Sequence, residues 1–248
     1  MNQIITHKTD LMRRLLHLAS HGYDYWISGE IQPTKVEALA FKFLDRYHTN
    51  RNEMQRYRAK KRGEANTQLV MWQDQKDKKS PVYWWLLVTP GSGLVHEMEK
   101  LNHLRDQRIT LTGYELVKTN RKRKEKDKPD KKLKPGWTWR MDSATFDAWK
   151  ERIKTAVRHG SDNQIRQALH SLGAVPGFRE SRVQAYLLLR MMRNDWKRTQ
   201  TGEFPYPSPF IKFCGRHQKA ATITTKEASQ KAKRKKTKKA DDEVSVAV

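Results

Sequence analysis

The stretch Pro81-Val82-Tyr83-Trp84-Trp85-Leu86-Leu87-Val88-Thr89-Pro90-Gly91 decides how the rest of the chain is read. β-Branched and aromatic residues run unbroken for the length of a strand, proline closes both ends, and a turn follows. The segment therefore predicts a central β-strand. Its alternation places Tyr83 and Trp85 on one face and Trp84 on the other.

Working outward, Thr67-Gln68-Leu69-Val70-Met71-Trp72 predicts a second strand, joined to the first by a charged hairpin-like connection from Asp74 to Ser80. Further upstream, Tyr23 to Ile31 has the same aromatic and β-branched character and is broken by Pro33. Thr34-Lys35-Val36-Glu37 has the form of a capping box. Val36, Leu39, Ala40, Phe43, Leu44 and Tyr47 then repeat at helical spacing, and a basic turn runs from Arg51 to Gly63. Downstream, Gly91-Ser92-Gly93 leads into a helix expected to turn Leu94, Met98, Leu101 and Leu104 inward, and Ile109 to Val117 alternates as a fourth strand. The order from residue 23 to residue 117 is βαββαβ, which predicts an α+β, ferredoxin-like sheet domain.

The expected organisation has four parts. They are an N-terminal helix (1–22), the ferredoxin-like domain (23–141), a helical extension (142–213) and a disordered basic tail (214–248). Within the domain, residues 118–136 form a basic loop of ten positive and three negative charges with Leu133 as its one large apolar residue. Asp142 caps a helix carrying Phe146, Trp149, Ile153 and Val157, and Ser161-Asp162-Asn163-Gln164 opens a second with Ile165, Leu169 and Leu172. A long helix from Arg179 to about Arg198 is expected to bury Val183, Tyr186, Leu187, Met191 and Trp196. The last two helices read either as a helix-turn-helix with an overlong connection or as a plain bundle. The proline-rich run Gly202 to Phe210 is an extended strap.

Lys and Arg number 51 against 27 Asp and Glu, a net charge of +24, and such an excess implies a polyanionic partner. No run approaches the ~20 apolar residues of a membrane-spanning helix. The single cysteine, Cys214, excludes an intrachain disulfide framework and a cysteine-based zinc site. The N-terminus has no long apolar core of a signal peptide, so a cytoplasmic or nucleoid-associated location is expected.

Basic residues gather in four clusters, which supply sequence-independent, salt-sensitive affinity for phosphates. Candidate contacts are Arg56, Arg58, Lys60, Lys61 and Arg62 in the first, and Arg121, Lys122, Arg123 and Lys124 in the loop. The long helix adds Arg179, Arg182, Arg190, Arg193, Lys197 and Arg198, and Lys219 to Lys239 form the tail cluster. Tyr83 and Trp85 are candidate base-stacking rings if their face of the sheet is open, and core if helices cover it.

Signals for chemistry are weaker. His17 and His21 have a metal-compatible spacing without a third ligand, and His96-Glu97-Met98-Glu99-Lys100 has lysine where a zincin needs its second histidine. Gly91-Ser92-Gly93 reads as a turn more readily than as an anion site. No His-x-His pair of the nicking enzymes occurs, and His21, Tyr23, Asp24 and Glu30 are the nearest approach to a reactive cluster. No catalytic residue, metal site or cofactor is assigned. In overall style, a basic αβ domain with a helical extension and basic tail, the chain is similar to replication or transfer accessory proteins of plasmids and integrated elements. The resemblance implies a DNA-binding accessory. The alternatives are a nuclease or replication initiator with a non-standard site, or an RNA-binding scaffold protein.

Overall fold

In the computed structural model the described residues are 3–74, 80–120, 134–159, 161–200, 202–214 and 222–224. The chain is a mixed α+β protein that divides into two units. One comprises Met1–Gln107 together with Gln218–Val248, and the other Arg108–His217. The second unit is therefore inserted into the chain of the first. These divisions fall elsewhere than the expected break at 141/142, because the segment 109–117 pairs with residues that follow it and not with the sheet before it.

In the first unit the quoted stretch forms β4 (Val82–Val88), flanked by β2 (Tyr25–Ile31) and β3 (Thr67–Trp72) in antiparallel register. Two further strands extend the edge beside β3. They are β1 (Gln3–Ile5), parallel to β3, and β9 (Thr222–Thr224), antiparallel to β1. On the far side β5 (Asn102–His103) pairs with β2, giving the order β5-β2-β4-β3-β1-β9. This six-stranded mixed sheet replaces the four-stranded sheet expected from βαββαβ. The expected fourth strand is absent from it, and the two-residue β5 occupies that edge. Thr222–Thr224 is a strand within the segment expected to be a disordered tail, and the tail's lysine-rich part lies outside the described residues.

Strand alternation sorts the core. Val82, Trp84, Leu86 and Val88 face α2 (Val36–Tyr47), whose Val36, Phe43 and Tyr47 are buried against them. The capping box at Thr34 does not form. Pro33–Lys35 makes a short 3-10 turn, and Lys35 stands at the N-cap without a side-chain hydrogen bond. On the opposite face lie Tyr83, Trp85 and Leu87, with α1 (Lys8–Ser20) packed on β1 and β3 and Arg14 donating to Gln68 at 2.8 Å. Trp85 is only 6% exposed, so its ring is core and offers no stacking surface. Tyr83 is half-buried, its ring stacked on Trp72 with centroids 5.6 Å apart.

Gly29 sits directly opposite Trp84 in the β2–β4 register. A Cβ at Gly29 would lie 2.7 Å from the Trp84 indole, which is held edge-on by Phe43 at 5.2 Å. Alanine ordinarily improves a strand position, yet here overpacking outweighs that gain. Gly29→Ala is expected to cost about 1–2 kcal/mol in a urea unfolding series. An unchanged midpoint would show that the indole yields freely.

The predicted helix after Gly93 stops early. α4 is only Leu94–Met98, and Leu94 and Met98 point outward while Val95 is buried; Leu101 and Leu104, beyond its end, are turned inward as expected. The preceding Gly91-Ser92-Gly93 is a tie between chain segments. The Ser92 amide donates to Gly63 O at 2.9 Å, and the Ala65 amide donates to Ser92 O at 2.8 Å.

In the second unit, the segment expected to be one strand bends at Thr112-Gly113, both with positive φ, into a two-residue hairpin between β6 (Thr110–Leu111) and β7 (Tyr114–Thr119). β8 (Gly136–Met141) completes a three-stranded sheet. α5 (Ser143–Arg158), α6 (Asp162–Gly173) and α7 (Arg179–Thr199) follow, with α6 and α7 both packed on α5. Their shared core includes Met141, Ile153, Leu172, Leu188, Met192 and the strap residue Ile211.

Of the residues that the apolar spacing of α7 predicts inward, Met191 and Trp196 pack against this core and the other three do not. Ser181, Ala185, Leu188, Leu189, Met192 and Asp195 are buried, while Val183, Tyr186 and Leu187 are exposed. The free edge of β8 explains the choice. Its backbone groups need partners, and α7 supplies them. Ser181 Oγ donates to Trp139 O at 2.9 Å. Gln184 Oε1 accepts from the Met141 amide at 2.6 Å, and Gln184 Nε2 donates to Met141 O at 3.1 Å.

Candidate nucleic-acid interface

The segment expected to be a basic turn is a helix, α3 (Glu53–Lys61). Its sequence has no apolar stripe, which is why periodicity misses it. The readable signals are the capping pair Asn52/Gln55 and Gly63 at the exit. The Gln55 amide donates to Asn52 Oδ1 at 2.9 Å, and the Asn52 amide donates to Gln55 Oε1 at 2.8 Å. Gly63 leaves the helix with φ +75°.

Ala59 is the only buried residue of α3. The helix is held instead by polar ties. Asn66 Nδ2 donates to Arg56 O at 3.1 Å, Arg51 donates to Ala65 O at 3.1 Å, and Arg51 also pairs with Glu64 at 3.1 Å. Arg62 is engaged internally too, 2.6 Å from Glu64. The Arg62 hydrogen bond holds the Glu64 carboxyl below its ordinary range and raises the guanidinium in turn. Arg58, Lys60 and Lys61 are left exposed, and among the described residues no carboxylate pairs with any of them. Tyr57, 55% exposed, lies beneath the Lys61 ammonium at 5.0 Å.

Beside α3, Arg14 is buried enough that desolvation lowers its pKa, an effect that the Arg56 charge adds to and Tyr23 opposes. Burial likewise raises the Tyr23 phenol against the nearby Arg56 and Arg14 charges. The sequence cluster His21, Tyr23, Asp24 and Glu30 is not brought together. Tyr23 is buried, His21 is exposed at the C-cap of α1, and Glu30 lies near the other end of β2 from Asp24. His17 and His21 pack ring against ring at 4.0 Å, and among the described residues no group of three or more His, Cys, Asp or Glu is placed to hold a metal.

A cluster that the sequence does not announce surrounds Tyr25, whose ring meets His96 and His103 edge-on at 5.1 and 4.9 Å. His96 Nε2 is engaged by Thr89 O at 3.0 Å. Nearby in the same core, Tyr47 donates to Glu99 at 2.6 Å. Burial, with help from that bond, pushes its pKa up to about 12, so the phenol remains a donor. Tyr47 and Glu99 thus satisfy each other, and His96 is held by a backbone carbonyl.

No protein-family model matches the sequence, and neither the curated proteins nor the solved structures show a match. The reading of this chain therefore rests on its own residues.

In the second unit, β7 and β8 pair as two antiparallel legs, and Arg121, Lys122, Arg123 and Lys124, which fall between them in the sequence, lie outside the described residues. Arg179 braces the paired ends of the legs. Its guanidinium donates to Thr119 Oγ1, to Thr119 O and to Gly136 O, and it pairs with Glu180 at 3.1 Å. Arg179 is thus committed to holding these two legs together. Between the legs, Glu115 pairs with Arg108 at 2.8 Å and with Arg140 at 2.5 Å. Burial raises the Glu115 carboxyl, but the two guanidinium groups outweigh it and leave the pKa lowered.

The remaining candidates lie along α7. Arg198 pairs with Asp195 at 2.6 Å, and Arg193 donates to Ser208 Oγ. Arg190 and Lys197 are exposed, and among the described residues no carboxylate pairs with them. Arg182 is flanked by the rings of Tyr186 and Phe213.

Proposed function

We propose that this protein binds nucleic acid through its cationic surfaces, and that it serves as a DNA-binding accessory in the replication or transfer of a mobile element. The observation that carries the binding reading is α3. A helix tied down at both ends, with one buried residue and with Arg58, Lys60 and Lys61 exposed beside Tyr57, has no packing reason for its composition. Presentation of fixed cations to a phosphate backbone accounts for it. The net charge of +24 supports the same reading, as do the ten cations of residues 118–136, of which Lys118 lies on β7. Such a partner is met in the cytoplasm. Among the described residues no helix is long and apolar enough to cross a membrane.

The same proposal extends to architecture. β2 and β3 both run antiparallel to the β4 strand between them, and β4 and β5 both run antiparallel to the β2 strand between them. Two interleaved βαβ units of this kind support a ferredoxin-like reading of the central strands, with β1 and β9 as an edge addition.

The test is titration of labelled duplex and single-stranded oligonucleotides with the full chain at ~50 mM salt and upward. Arg58→Glu with Lys61→Glu is expected to weaken binding roughly ten-fold or more and to flatten the salt dependence by about two counterion equivalents. Absence of binding by the unaltered chain to any of these probes would end the reading.

A further inference from the structure

The exposed face of α7 carries an arrangement that general phosphate binding does not require. Arg182, Tyr186, Val183, Leu187 and Arg190 fall within one arc of the helix. The strap brings Phe213 to the same place. The Arg182 guanidinium lies 5.9 Å from the Tyr186 ring centroid and 5.5 Å from that of Phe213. Tyr186 is 43% exposed and Phe213 57%. Arg182 Nε has no hydrogen-bond partner, and among the described residues no carboxylate pairs with its guanidinium. Val183 and Leu187, on the same arc, are exposed as well.

We infer that this face is a base-stacking platform for single-stranded nucleic acid, an inference that rests on the nucleic-acid reading above and deepens it. Each component has a place in that chemistry. Exposed aromatic faces take unpaired bases regardless of sequence, and a guanidinium plane does the same while contributing charge. Bases locked in a duplex cannot reach such a surface, so it discriminates single strands from duplex. Charge complementarity favours a polyanion over an apolar protein partner. Arg182 and Arg190 are unneutralised here, and an apolar partner would leave both cations without a counter-charge.

The experiment uses the full chain and three labelled probes. They are an oligothymidylate, an oligouridylate and a blunt duplex, each of about twenty residues or base pairs. The expected result is tighter binding of a single strand than of the duplex. Tyr186→Ala and Phe213→Ala should each weaken single-strand binding about five-fold or more, with duplex affinity and salt dependence unchanged. Arg182→Lys, which keeps the charge and loses the plane, should weaken the single strand in the same way. Phe213→Leu keeps the apolar contact without a ring face and should behave as Phe213→Ala, which separates stacking from folding. The difference between the thymidylate and uridylate arms assigns DNA or RNA. Equal losses on single strand and duplex, or no loss on either, would overturn the platform while leaving nucleic-acid binding intact. Self-association of the unaltered chain that Leu187→Ser abolishes would instead give this face to a second copy. Failure of all three probes would remove the platform together with the function it rests on.

Discussion

Replacing Gly177 with alanine is expected to detach the strap of the second unit and to cost about 3 kcal/mol or more of its stability. The strap crosses the α6–α7 connection so closely that a Cβ at Gly177 would lie 1.7 Å from Lys212 O and 2.8 Å from the Lys212 carbonyl carbon. Both are backbone atoms, so no rotamer change can relieve the collision. The crossing is also bonded, because the Cys214 amide donates to Gly177 O at 3.1 Å. What the displaced strap loses is Ile211, fully buried in the core shared by the three helices, whose exposure alone forfeits about 2–3 kcal/mol. Urea unfolding followed by fluorescence measures the loss. Ile211→Ala serves as the reference, and should reproduce most of it without touching the crossing. A Gly177→Ala chain with an unaltered midpoint would mean that the strap does not lie there.

Gln184→Leu is the second large effect, expected at about 2–4 kcal/mol. One side chain satisfies both backbone groups of Met141, accepting from its amide and donating to its carbonyl, in the way a neighbouring strand would. Met141 is 1% exposed, so water does not replace either bond. Leucine matches the size and removes both partners, leaving a buried donor and a buried acceptor unpaired. Gln184→Glu retains the acceptor and loses the donor, and should fall between the parent and Gln184→Leu. Hydrogen exchange at the Met141 amide gives the site-specific readout. Exchange as slow in the leucine variant as in the parent would show that the edge of β8 is paired by something else.

These two sites show what patterning reaches and where it stops. The strands from Tyr25 to Val88, and the helices α2, α5 and α6, announce themselves through spacing, caps and terminating glycines, all of which are local. The capping of α5 by Asp142 and of α6 by Ser161 is of that kind, with each side chain accepting from the amide three residues on. α3 escapes because its stability comes from polar ties to Ala65 and Asn66, not from an apolar face. The strand expected over 109–117 fails for a local reason that propensity outvotes. Two consecutive left-handed residues, Thr112 and Gly113, fold it back on itself.

The candidate interface divides in the same way. Composition alone implied a polyanionic partner, and the chain's order alone named the basic clusters, because charge is additive and needs no fold. Which cations remain available is a tertiary matter. Arg179 is consumed by the carbonyls at the paired ends of β7 and β8, Arg62 by Glu64 and Arg198 by Asp195, while Arg58, Lys60, Lys61, Arg182, Arg190 and Lys197 are left over. The quoted strand Val82–Val88 was legible as the spine of a sheet from its residue types. That Trp85 is core while Tyr57, Tyr186 and Phe213 are among the exposed rings followed from packing. α1 lies beside β3 on the face that carries Trp85, and the free edge of β8 drew Ser181 and Gln184 of α7 toward it, which left Tyr186 in solvent.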